Sequence, residues 1–359
     1  MSPLRTPRRS AVLATTAATA ATALTALAAL AALLVPASAT PASSSAPAPA
    51  PVQIRPAALD RGADPAFPVL VGRTIVDGER KLRVDLPGVW LLGRSGGAYV
   101  VGFTSGGPQQ QRIARLRPDG SRRTLVGDLG WDEARLSVDG DHVVLERVTV
   151  SADRRRTTLR VVDARSGELL AQRILPGVRD VLTADGGVAV VAGDGPRPTV
   201  RWDFTAGSAS SDVTAGSVRT VTARDAYVAD LAADRMAVFT RDPYEGGCSV
   251  VTSISEPGRT LWRSCDWRVE AVAPGGGRVA VVPLLSDGLG ASAVQVRAVR
   301  GRLLAAYDVS GWFGPSRFES ATSVVLDAHG TRRSALVRCG GTDGTDCERA
   351  SRTTRTRHH

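Results

Sequence analysis

Asparagine is missing from all 359 residues, and lysine occurs once, as Lys81, against 44 arginines. The first absence removes every N-x-S/T glycosylation acceptor. With alanine so abundant, both absences read as a high-G+C coding bias. The formal charge of +10 is then weak ground for a nucleic-acid partner, and none is expected. Histidine is scarce: His142, His329, His358 and His359 are all there is. None precedes Ser95, so Gly93-Arg-Ser-Gly-Gly97 matches G-x-S-x-G without the partners a serine-protease order requires. A nucleophile elbow also needs a strand-to-helix turn, and here strand follows strand. Beyond residue 66 no apolar run has helical spacing over the length of a helix, which points to an all-β fold.

There are only four cysteines. Cys248 and Cys265 are centred on a Ser-Glu-Pro-Gly turn, and Cys339 and Cys347 on Gly-Thr-Asp-Gly. Each pair fits a short cross-strand disulfide in an exported chain. The spacing is not C-x-x-C and no histidine lies near the first pair, so zinc is a poor alternative. Asp139-Gly-Asp141 and Asp343-Gly-Thr-Asp346 lack the ligand count of an EF-hand loop and read as turns. No metal and no cofactor is expected.

The N-terminus reads as an export signal. Arg5, Arg8 and Arg9 precede an uncharged Ala/Leu/Thr run over residues 11–35, and Ala37-Ser-Ala39 fits a cleavage site. Cleavage would leave residues 40–359 with a charge of +7. The run is also long enough to span a bilayer, so an uncleaved anchor is the rival and the only route to membrane attachment. Residues 40–66 are rich in Pro, Ala and Ser and read as a disordered linker. The folded domain is expected over 67–350, and 351–359 as a basic disordered tail.

What fills the domain is a repeat. Residues 131–175 read as four short strands joined by three turns. The apolar centres of the second strands recur at Val100, Val144, Ala189, Ala237, Ala280 and Val325, at spacings of 44, 45, 48, 43 and 45. A glycine follows each third strand, at Gly120, Gly167, Gly207, Gly258, Gly301 and Gly344. Trp90, Trp131, Arg179, Tyr227, Trp267 and Trp312 lie ahead of the first strands, five of them aromatic in a chain only 4% aromatic. A period in the forties with four strands per unit predicts a β-propeller. Six four-stranded blades are expected, with seven as the alternative. The hairpin over 68–86, turning at Asp77-Gly78, is expected to close the ring.

Segments such as Leu159-Arg-Val-Val-Asp-Ala-Arg-Ser-Gly-Glu168 and Val200-Arg-Trp-Asp-Phe204 resemble the third strands of WD-repeat and TolB-like propellers. Leu336-Val-Arg-Cys-Gly340 with Cys347-Glu-Arg349 is similar to the last blade of secreted actinobacterial TolB-like proteins. The resemblance covers roughly residues 68–350, without the Gly-His…Trp-Asp signature of true WD repeats. It implies the propeller architecture and a binding role.

Candidate binding residues lie where the entry aromatics meet the loops between second and third strands. They are Trp90, Trp131, Tyr227, Trp267 and Trp312, with Arg154, Arg155 and Arg156 on the loop 151–156, and Asp242 and Tyr244 on 241–247. The bland reading of the aromatics is packing between blades. The expectation is a secreted or envelope-bound monomer outside the cytoplasmic membrane. It would bind an extracellular protein or a wall polymer without catalysis. The alternative is a hydrolase or lyase whose carboxylates, Glu133, Asp230, Glu270 and Glu319, converge in the channel.

Overall fold

The computed structural model describes residues 49–107, 110–130, 132–151, 154–195, 197–205, 216–286, 288–341 and 344–356. The expected signal over 1–39, Trp131 and Gly207 lie outside the described residues. No helix among those described is long and apolar enough to cross a membrane.

The fold is all-β. Strand β1 (Val52–Ile54) is followed by a three-stranded sheet of β2 (Val69–Val71), β3 (Thr74–Asp77) and β4 (Arg80–Arg83). The second sheet holds β5 (Trp90–Ser95), β6 (Ala98–Thr104), β7 (Gln111–Leu116) and β8 (Arg122–Val126). The third holds β9 (Glu133–Leu136), β10 (His142–Ser151), β11 (Arg154–Asp163) and β12 (Leu169–Pro176). The fourth holds β13 (Arg179–Asp185), β14 (Val188–Gly193), β15 (Thr199–Asp203) and β16 (Ser217–Thr222). The fifth holds β17 (Ala226–Asp230), β18 (Arg235–Phe239), β19 (Ser249–Thr252) and β20 (Thr260–Ser264). The sixth holds β21 (Trp267–Val272), β22 (Arg278–Pro283), β23 (Ala291–Ala298) and β24 (Leu303–Phe313). The seventh holds β25 (Arg317–Phe318), β26 (Val324–His329), β27 (Arg333–Gly340) and β28 (Asp346–Arg349), and β29 (Thr354–Arg355) pairs back onto β27. The sixth and seventh join where Trp312 and Phe313 pair with His329 and Ala328.

All six repeat centres fall on second strands and are at most 2% exposed. The reason is the two-residue period of a strand. In β6, Val101 packs toward the first sheet with Ile75 and Val84, while Val100 packs toward the third with Val143 and Leu145. In β14, Val191 meets the third sheet and Val190 the fifth. In β22, Val281 meets the fifth and Val282 the seventh. Middle strands are therefore apolar on both faces, and each sheet needs a neighbour on either side.

Two expectations about the ends of the chain are corrected. The stretch 68–86 forms the first sheet, with its turn at Gly78 as expected, and β28 pairs with β27 and, through the single parallel Arg61–Arg349 bridge, with the segment ahead of β2. The linker expected over 40–66 is part of the fold from β1 onward. Val52, Gln53 and Ile54 pair in parallel with Tyr307, Asp308 and Val309, and Ile54 is 1% exposed. The outer edge of β24 presents unpaired backbone groups, and a short β-branched segment satisfies them. Likewise the tail is ordered to Thr356, which is buried.

The disulfides Cys248–Cys265 and Cys339–Cys347 form as expected. Cys339 faces Cys347 directly in the β27–β28 register, and the other pair lies one position beyond Ser249 and Ser264.

Burial of Ile54 carries a measurable consequence. Ile54→Ala should lower the unfolding free energy by about 2–4 kcal/mol in urea denaturation. A loss indistinguishable from zero would return residues 49–66 to linker status.

Candidate binding face

The first strands open at one end of their sheets, and the predicted aromatics mark that end. Trp90 and Trp267 are the first residues of β5 and β21, and Tyr227 is the second of β17. Trp312 is the penultimate residue of β24, ahead of β25. All four are half-buried. Trp90 packs on the core between the second and third sheets, and Tyr227 and Trp267 on that between the fifth and sixth. The Tyr227 ring stacks on Phe239 at 4.0 Å; its hydroxyl contacts Ser249 Oγ and accepts the Val269 N–H at 3.0 Å. Burial pushes that phenol up to about 12. Trp312 stacks on His329 at 4.9 Å. Trp90, Tyr227 and Trp267 thus sit in the contacts between neighbouring sheets.

The structure brings three predicted residues together. Tyr227, Asp242 and Tyr244 line an open cleft of about 810 Å³ across the entry ends of the fourth, fifth and sixth sheets. Asp242 accepts the Tyr244 N–H at 2.8 Å and starts a short 3-10 turn, which leaves Tyr244 70% exposed. Arg224, Asp225, Arg241 and Arg268, which the sequence reading passed over, share this cleft. Desolvation, then the carboxylates of Asp194 and Asp180, pushes the Asp225 carboxyl up. The wall is of mixed charge and suits polar recognition rather than one ion.

Arg154, Arg155 and Arg156 lie elsewhere, and their setting is a correction. They were expected on a loop. They are exposed residues of β11, paired with Ser151, Val150 and Thr149 of β10. The ten-residue β10 and β11 make a long arm. Arg155, Val148 and Val150 share one face of it, and Arg154, Arg156 and Thr149 the other. Val148 and Val150 are 42% and 65% exposed.

The four carboxylates of the catalytic alternative are engaged separately. Glu270 accepts the Ser316 N–H at 3.1 Å, and Asp230 the Ala233 N–H at 2.8 Å. Glu319 accepts the Ala66 N–H at 2.8 Å and pairs with Arg338. Glu133 is exposed on β9, opposite Glu146. Among the described residues no three His, Cys, Asp or Glu side chains are grouped to hold a metal ion. Ser95 is buried, and its hydroxyl has no hydrogen-bond partner there.

One constellation went unread in the sequence: Asp327, His329 and Ser334 line a cavity of about 620 Å³ between the seventh and first sheets. His329 Nε2 is 3.1 Å from Asp327 Oδ2, and Nδ1 is 3.1 Å from Ser334 Oγ. The proton count decides what this can do. Thr356 donates its hydroxyl to Gly330 O at 2.7 Å, so at the 2.9 Å Ser334–Thr356 contact Ser334 donates. Ser334 then accepts from His329 instead of losing a proton to it. The relay tethers β29 and does not activate a nucleophile.

Glu146 on β10 was missed too, since an acid within a valine-rich strand reads as an outward residue. It accepts the Val181 N–H at 2.9 Å and is 9% exposed. Desolvation raises its pKa from 4.5 to about 7, with Asp180 and Glu133 adding repulsion.

No protein-family model matches the chain, and no curated protein matches it. Solved structures do. Pyrococcus horikoshii acylaminoacyl peptidase is similar at a TM-score of 0.52 and 9% identity, over 81% of this chain and 52% of that one. The β-propeller domain of the Trilobed protease from Pyrococcus furiosus is similar at a TM-score of 0.44 and 12% identity, over 80% and 84%. TolB from Acinetobacter baumannii is similar at 0.38 and 13%, over 66% and 61%. The chain thus spans about half of the acylaminoacyl peptidase. The resemblance is one of fold alone.

Glu146 supplies a test by titration. Its native pKa lies above the ordinary value, so between about pH 4.5 and 7 the native state holds a proton that the unfolded chain has released. Stability contributed by this group is full below that window and falls as pH rises through it, by about 1–3 kcal/mol. Glu146→Gln, which keeps an acceptor for Val181, should flatten the fall and be the more stable protein at pH 8. Parallel urea curves for the two proteins at every pH would refute the assignment.

Proposed function

We propose that this is an exported, non-catalytic β-propeller that binds an envelope protein or an anionic wall polymer. Its blades are the seven successive sheets, the first with three strands, and the ring closes between the seventh and first. The observation that carries the reading is the β10–β11 arm, which presents Arg154 and Arg156 on one face and Arg155 with exposed Val148 and Val150 on the other. Arginine rows suit phosphate and carboxylate groups. The mixed-charge cleft around Tyr244 offers a second contact on a rigid scaffold. The two disulfides fit an oxidising compartment outside the cytoplasmic membrane. The carboxylates a channel enzyme would need are bound to backbone and arginine, which favours binding over catalysis.

The test is co-sedimentation of the full chain with purified cell wall, beside a pull-down from envelope extract. Arg154→Glu/Arg155→Glu/Arg156→Glu should weaken retention by about tenfold or more, and salt should weaken the wild type. Unchanged retention by the triple variant, or insensitivity to salt, would refute a role for the arm.

A further inference from the structure

Six hydrophobic clusters lie between consecutive sheets, from the first and second to the sixth and seventh. A ring of seven sheets has seven interfaces. No such cluster joins the seventh sheet to the first among the described residues. The missing one can be located by register. In the first sheet, Leu70, Ile75 and Leu82 face the second sheet and pack there. The opposite face carries Val69, Val71 and Val76, with Lys81 directly across from Val76. These valines stay half-buried and line a cavity of about 560 Å³ closed on its far side by Arg349, Ala350 and Arg352.

The cavity has an apolar floor and a cationic rim. Arg61 is neutralised by Asp64, the only carboxylate lining it. Arg349 spends its Nε on Leu59 O at 2.7 Å, and that guanidinium makes no other hydrogen bond among the described residues. The side chains of Lys81 and Arg352 have no hydrogen bond or ion pair among the described residues. Three cations thus converge on a space walled by three valines. Water fills such a space poorly, since the floor gives it no partners. The volume lies within the range of small-molecule sites.

We propose that this seam cavity binds one free amphipathic organic anion, with a carboxylate head on Lys81, Arg349 and Arg352 and an aliphatic or aryl body on the valines. The ligand would supply the apolar contact that every other interface makes for itself. The site is separate from the β10–β11 arm and goes beyond the binding role proposed above.

Calorimetric titration of the full chain with decanoate and with 4-phenylbutyrate tests it, with decanol and acetate as controls for body and head alone. At least one of the two acids should bind with a stoichiometry of one and raise the Tm, more tightly than either control. Lys81→Glu/Arg352→Glu changes two exposed side chains. It should weaken binding by about tenfold or more, with an unliganded Tm close to that of the parent. Lys81→Gln should fall between. The arm triple variant should bind as the parent does, so failure here and failure of the arm are told apart. Absence of saturable binding by both acids overturns the proposal. So does binding no tighter than that of decanol or acetate, or binding unmoved by charge reversal.

Discussion

Arg338 spends every N–H it has at the place where the two ends of the chain meet. Its Nε and one terminal nitrogen donate to the two oxygens of Glu319; the other terminal nitrogen reaches Glu348 Oε1 at 2.6 Å. The remaining two bonds go to the carbonyls of Ala63 and Asp64, at 3.2 and 2.9 Å. One guanidinium on the seventh sheet thus holds the segment leading into the first. Lysine could not replace it, because a point charge has neither the fork nor five donors. Around it, Arg349 N–H donates to Asp60 O at 2.8 Å and Gly62 N–H to Arg349 O at 3.0 Å. The fit is tight: a Cβ on Gly62 would lie 2.0 Å from the Glu348 carboxyl. The Cys339–Cys347 disulfide ties β27 to the strand bearing Glu348 and Arg349, so the clamp's acceptors cannot peel away with the edge.

Elsewhere apolar contact does this work, with one polar addition repeated between sheets. Glu146 accepts the Val181 N–H, Tyr227 the Val269 N–H, Glu270 the Ser316 N–H and Glu319 the Ala66 N–H. In each case a side chain of one sheet accepts a backbone N–H from the next sheet along, or from the segment entering it. Backbone in or just ahead of a first strand that would otherwise lose water unpaired is satisfied across the gap. The cost falls on chemistry, since carboxylates fixed as acceptors are not free to act as acids or bases. The arm, the Tyr244 cleft and the seam lie outside these acceptor positions.

The sequence made the local features legible. Second strands were found because an apolar core on both faces leaves valine at a fixed period. The disulfides were found because a hairpin is symmetric about its turn. What it hid was non-local. β1 is three residues long, and its partner Tyr307–Val309 lies 255 residues away, so no local pattern marks it. The row Arg154–Arg156 looked like a polar break because the exposed end of a strand and a loop carry the same residues. Trp90, Tyr227, Trp267 and Trp312 recur with the repeat, but their contacts depend on neighbours such as Phe239 and His329 that only the fold supplies. The Asp327–His329–Ser334 relay was invisible for the same reason. So was Arg338, one arginine among 44.

The central claim is that polar bonds from Arg338, and not an apolar core, hold the seventh and first sheets together. Amide hydrogen exchange on Arg338→Met tests it most directly. The account predicts lost protection confined to residues 59–83 and β28, with the second to sixth sheets protected as before. Unchanged protection in that segment, or an even loss across all the sheets, would contradict it.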